Sequence, residues 1–248
     1  RKALADAFVE ARDTARTAAV LRRHAPGGVM VHRDVRYGDG PDALLDVVLP
    51  VTGSNSDPAN APAEPRPLVL WVHGGGFVGG AKEELTGWFA ALAARGYAVA
   101  APRYSLAPEH RYPTPTRQVL QALRFLQDGA ARFGLDPARV VLAGDSAGAH
   151  IAAQVATIVT SPGYARQVGL EASLPPQHLR GVVLACGPFD LDLADHSETP
   201  LGRVFTRTVL WAYSGKRRFL SDPVFAAWSI TDHATGAFPP ALITVGNA

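Results

Sequence analysis

Arg139–Ala156, RVVLAGDSAGAHIAAQVA, carries Ser146 between two glycines, after an apolar run and before apolar residues at helical spacing. This reads as strand, tight turn, helix. Gly144 and Gly148 lack side chains, so the chain can turn sharply and hold the serine in a strained, exposed conformation. The helix amino terminus beside it favours developing negative charge. As a bare pattern, G-x-S-x-G arises by chance or as a plain structural turn in a chain with 24 glycines in 248 residues. The strand before it and the helix after it shift the reading to a nucleophile. A nucleophilic serine needs a base, and finding that base is the problem the rest of the sequence must solve.

Outward from this stretch the pattern repeats. LVLWVHGGG (68–76), YAVAAPRY (97–104), LRGVVLACG (179–187) and ALITVGN (241–247) read as strands. Helices are marked by Leu85, Trp88, Phe89 and Leu92, by Val119, Leu123 and Leu126, and by Ile151, Val155 and Ile158 or Val159. Apolar strands alternating with helices predict an α/β fold, a mostly parallel central sheet with helices on both faces. Before it, Leu4–Leu21 reads as an amphipathic helix, and VHRDVRYG (31–38) and ALLDVVLP (43–50) as two strands around the turn GDGPD (38–42). Residues 51–67, rich in Pro, Ala, Ser and Asn, read as a solvated loop. Residues 188–228 are expected to be irregular, an insertion over one end of the sheet. Trp71, Trp88 and Cys186 are expected in the core. Phe205, Trp211 and Tyr213 are expected in either a cap core or an acyl pocket.

The composition narrows the function. A net charge of +2 and 19% charged residues give no reason to expect nucleic acid or an anionic membrane as the main partner. One cysteine, Cys186, excludes a disulfide framework and a cysteine metal cluster. No apolar run approaches a membrane span. A cytoplasmic location is the default expectation, although the chain begins at Arg1 rather than Met.

In an open parallel sheet, ligands gather outside the carboxyl ends of the strands. His73-Gly74-Gly75-Gly76 falls there, as does the elbow around Ser146. Alone, HGGG is a loop that needs positive φ. Beside a nucleophile its bare N–H groups can approach an acyl oxygen, with one more N–H from the residue after the serine. A phosphate-cradling loop is the rival, but the chain has no Walker motif and HGGG lacks the G-x-G-x-x-G spacing.

HGGGF (73–77), RYSLAPEHRYPTP (103–115), DPARVVLAGDSAGAHIAA (136–153) and FPPALITVGNA (238–248) together resemble the hormone-sensitive-lipase-like esterases. These are α/β-hydrolases that cleave carboxylic esters with a Ser-His-Asp triad. The motifs fall in the family's order and cover most of the chain from Leu68 onward. The resemblance implies the α/β-hydrolase fold, Ser146 as nucleophile, and the N–H groups of Gly75, Gly76 and Ala147 as oxyanion hole. It implies a small-molecule ester as substrate and no cofactor or metal. It also implies one domain over residues 1–248, with a small cap from about residues 1–30 and 188–228. One departure is visible: Ser105 follows Tyr104 where the family usually has Arg.

In this fold the triad runs serine, acid, histidine along the chain. The acid is expected just after a stretch like TVGNA, so both acid and histidine are expected after Ala248, with the domain incomplete at its carboxyl end. The histidines present are weaker candidates. His150 is one helical turn beyond Ser146 and reads as a structural neighbour. In Asp195-His196 and Asp232-His233, adjacent residues rarely point in series. His73 reads as a support for the oxyanion loop, and His24, His32, His110 and His178 read as surface or hydrogen-bonded residues. Asp145 is expected to bond nearby backbone, and Glu109 and His110 to be scaffold. Without its acid and histidine, the chain would turn over little or nothing. The alternative function is a non-catalytic hydrolase-fold binding protein, for which plant hormone receptors of this family are the precedent.

Overall fold

The computed structural model describes residues 15–51, 64–192 and 199–245. Among them, β1 (Val29–Arg36), β2 (Leu44–Pro50), β3 (Arg66–Val72), β4 (Ala98–Pro102), β5 (Leu135–Asp145), β6 (Leu179–Ala185) and β7 (Ala241–Thr244) form one sheet. Their order is β1-β2-β4-β3-β5-β6-β7. β2 pairs antiparallel with both β1 and β4, and every other pairing is parallel. The helices are α1 (residues 15–23), α2 (Thr86–Ala93), α3 (Thr114–Asp128), α4 (Ala130–Phe133), α5 (Ala147–Thr160), α6 (Pro162–Val168), α7 (Pro200–Ser214) and α8 (Pro223–Ala226).

Period-two alternation divides β3 between two cores, as a sheet covered on both faces requires. Leu68, Leu70 and Val72 join the larger core with α3 and α5, while Val69 and Trp71 face the smaller one around Phe89 and Ala93 of α2. In α5 every residue from Ala147 to Val159 is buried. A helix apolar on all sides belongs inside a protein, and small residues let this one lie directly on the strands. A Cβ on Gly148 would stand 2.1 Å from the Val72 carbonyl oxygen. The connection from β3 leads to β4 on one side, and β5 lies on the other. The chain therefore switches direction at β3, where a crevice opens at the strands' carboxyl ends.

Several details depart from the sequence reading. The strand before Ser146 begins at Leu135, because Leu135 and Asp136 pair with Arg66 and Pro67 ahead of an irregularity in register. Within 188–228 the chain forms the 15-residue α7. Its amino end is capped by Thr199, whose hydroxyl accepts from Gly202 N–H at 3.0 Å. Trp88 is 41% exposed, its ring in a T-shaped contact with buried Trp71 at 6.5 Å between centroids. Cys186 is exposed. Its N–H still donates to Thr244 O at 2.7 Å, but its φ of 54° turns the chain out of the sheet, away from the packed faces. Tyr213 is buried and stacked on Phe77 at 4.1 Å, whereas Phe205 and Trp211 are half exposed. The expected helix at Leu4–Leu21 appears as α1 over 15–23; residues 1–14, and most of the expected loop at 51–67, lie outside the described residues.

Candidate active site

Ser146 sits between the end of β5 and the start of α5 with φ 50° and ψ −120°. A non-glycine residue there is strained and persists only where its surroundings enforce it. They do so tightly. Ser146 N–H donates to Ala185 O at 2.7 Å, and its carbonyl accepts from His150 N–H at 3.2 Å. The residues on both sides of the serine are wholly or partly buried, but Ser146 itself is exposed.

The loop after β3 lies against this elbow. A Cβ on Gly74 would come within 3.3 Å of Ser146 Cβ. Gly75 has φ 111°, and any side chain there would collide with Gly79 O at 2.2 Å, so this turn accepts only glycine. The loop closes on itself, because Val78 and Gly79 N–H groups both donate to Gly75 O. Gly75, Gly76 and Ala147 keep their own N–H groups free of any acceptor among the described residues. For Ala147 this follows from its place in the first turn of a helix, where N–H groups lack an intrahelical partner.

Four side chains fix the loop: Asp145 and His73, which the sequence reading places here, and Trp71 and Tyr104, which it does not. Asp145, beside the serine, accepts from the indole N–H of Trp71 at 3.0 Å and from Gly74 N–H at 3.2 Å. It ties elbow to loop, and burial raises its carboxyl pKa despite these bonds. Tyr104 donates its hydroxyl to His73 O at 2.9 Å and stacks on the His73 ring at 4.2 Å. His73 Nδ1 lies 2.8 Å from Gly74 O, which fixes Nδ1 as the protonated nitrogen. Burial lowers the His73 pKa to about 4, so the ring is neutral and supports the loop, as expected. Trp71 was legible only as core and Tyr104 only as part of the stretch at 103–115, because an indole N–H or phenol finding one distant acceptor leaves no local pattern. Ser105, at the departure from the family block, donates to Asp42 Oδ2 and accepts from Gln118 Nε2, both at 2.8 Å. The Ser105 hydroxyl thus bridges the Gln118 amide and the Asp42 carboxylate.

No side chain among the described residues hydrogen-bonds the Ser146 hydroxyl. His150 Nδ1 is engaged with Pro188 O at 2.9 Å, its ring stacks on Trp228 at 4.0 Å, and burial lowers its pKa to about 3. His233 packs on Tyr164. His110 lines a cavity of about 410 Å³ with His73, Arg103 and Tyr104. Asp195 and His196 lie outside the described residues. No group of three potential metal ligands occurs among the described residues.

Residues 69–248 match the alpha/beta hydrolase fold family. The chain belongs to that family. The resemblance to hormone-sensitive-lipase-like esterases therefore holds. Carboxylesterase NlhH of Mycobacterium tuberculosis is 32% identical over 193 residues, covering 73% of this chain and 51% of its own. Esterase LipC of the same organism is 34% identical over 137 residues, covering 54% of this chain and 32% of its own. The chain thus spans about half or less of the length of these curated relatives. Among solved structures, esterase B of Lactobacillus rhamnosis superposes with TM-score 0.76 at 23% identity, covering 98% of this chain and 74% of that one. That likeness bears on the fold alone. No described helix of this α/β-hydrolase is long and apolar enough to cross a membrane.

Proposed function

We propose that this α/β-hydrolase cleaves small carboxylic esters by nucleophilic catalysis at Ser146. The observation that carries the reading is an exposed, strained serine beside three N–H groups that have no acceptor among the described residues. In the reaction, Ser146 Oγ attacks the ester carbonyl and its proton passes to a histidine base. The carbonyl oxygen becomes an oxyanion facing the N–H groups of Gly75, Gly76 and Ala147. Collapse expels the alcohol, which takes the proton from the imidazolium, and leaves an acyl-serine. Water, deprotonated by the same histidine, then releases the acid and restores Ser146.

The histidine and the acid that orients it are assigned to residues beyond Ala248, consistent with the engaged state of His150 and His73. Residues 188–228 serve as cap: α7 comes up to the oxyanion loop, where Val209 would lie 3.7 Å from a Cβ on Gly76. The test is hydrolysis of a short-chain nitrophenyl ester by the full-length polypeptide, by its Ser146→Ala variant and by residues 1–248 alone. The reading expects Ser146→Ala and the isolated segment each to lose at least about 1000-fold in kcat. Hydrolysis that survives Ser146→Ala overturns it. Tight ester binding with no turnover by the full-length polypeptide would instead make the protein a binder.

A further inference from the structure

The face of α7 turned away from the oxyanion loop holds a second concave site. Val209, Leu210 and Tyr213 are buried beneath the helix. Trp211, about 200° round the helix from Val209, points the other way together with Val204, one turn-pair earlier. With Phe219, Leu220, Arg217 and Arg218 these residues line a groove of about 640 Å³, within the usual ~300–1,000 Å³ of small-molecule sites. Its walls are mixed and partly open: Val204, Trp211 and Leu220, 62%, 46% and 44% exposed, stand among the polar Arg207, Thr208 and Ser221.

Three arginines line it: Arg207, which is engaged elsewhere, and Arg217 and Arg218. Lys216 is paired with Asp222 at 2.7 Å. Arg217 lies over the Trp211 ring at 5.7 Å, and neither Arg217 nor Arg218 meets a carboxylate among the described residues. Two guanidiniums at the rim of a partly apolar groove ask for an anionic head on an apolar tail. The planar fork of Arg matches a carboxylate with two N–H···O bonds, and an alkyl chain removes the exposed indole, Val and Leu surface from water.

We propose that this groove binds a long-chain alkyl carboxylate, one molecule at a time, at a site separate from Ser146. The groove is concave and of single-ligand volume, which fits one chain rather than a flat bilayer. The proposal does not depend on the esterase reading, since none of its residues belongs to the elbow or the oxyanion loop.

Calorimetric titration of the protein with dodecanoate, kept below its micelle threshold, tests it. Butanoate and dodecyltrimethylammonium serve as controls, beside an Arg217→Gln/Arg218→Gln variant and a Leu220→Gln variant, all exposed positions. Expected are saturable one-to-one binding of dodecanoate, at least tenfold weaker binding in both variants, and no saturable binding of either control. The proposal is overturned by absence of binding, by unchanged affinity in the double arginine variant, or by equal binding of the cationic amphiphile. It is also overturned if a boronic acid held on Ser146 displaces dodecanoate, which would place the chain beside the serine. Binding to anionic phosphatidylglycerol vesicles without binding of monomeric dodecanoate overturns it in favour of a membrane surface.

Discussion

Acidification from pH 7 to pH 5 tests the description of the two buried histidines, and its size can be worked out. Burial lowers the pKa of His150 to about 3 and of His73 to about 4, from an ordinary 6.5. Both rings are therefore neutral in the folded protein at pH 5, while in the unfolded chain both are mostly protonated. The unfolded state binds the extra protons, so stability falls as pH falls; it is complete above about 6.5 and lost progressively below it. At pH 5 the unfolded chain has gained about 1.5 pH units of protonation free energy per histidine, or about 2 kcal/mol each. Two such losses are a large part of the ~5–15 kcal/mol that holds a typical domain together. Asp145 and Glu84, whose pKa values burial raises, act in the opposite sense, so one histidine must be isolated by a difference. His150→Gln does this: it is uncharged at both pH values and its side-chain N–H can still reach Pro188 O. Urea denaturation of parent and variant at pH 7 and pH 5 gives the comparison. The parent should lose about 2 kcal/mol more than the variant over this interval. Equal losses would mean that His150 is not held neutral, and the buried stack with Trp228 would be wrong.

Other expectations follow from single contacts. Lys82 is buried against Asp46 at 2.6 Å, with Glu83 at 2.7 Å and Asp34 at 3.0 Å. Lys82→Met leaves buried Asp46 with only the longer 3.5 Å contact to exposed Arg33 as a cation partner, and chemical denaturation should show a loss of about 3–5 kcal/mol; a loss under 1 kcal/mol would refute the buried pair. Tyr104→Phe removes the donor to His73 O and should cost about 1–3 kcal/mol in the same assay, with ester turnover falling more than ester binding. Gly148→Ala drives a methyl into the Val72 and His73 carbonyls; it should destabilise by about 1–3 kcal/mol or leave the protein insoluble, whereas wild-type stability would mean α5 does not rest on β3 there.

The layered α/β fold was legible because its signals are local and periodic. Apolar runs at the strands' spacing and 3.6-residue apolar spacing on α3 both survive in the structure. The elbow was legible for the same reason: Gly144, Ser146 and Gly148 are neighbours in the chain. What escaped is what forms across the chain. Nothing in the sequence pairs Trp71 with Asp145, 74 residues away, or Tyr104 with His73, and these contacts hold the loop in place. Cys186 looked like core because it ends an apolar run, and a single left-handed residue turns it out. α7 was hidden because Thr, Trp, Tyr and Val are modest helix formers. Its apolar residues divide between a buried stripe and the exposed groove, which blurs the period.

Nucleophilic Ser146 is the centre of this account, and intact mass after treatment with a fluorophosphonate reads it directly. The full-length polypeptide should gain one phosphonyl adduct that maps to Ser146 and disappears in Ser146→Ala. An unmodified mass, or an adduct on another residue, would contradict the account.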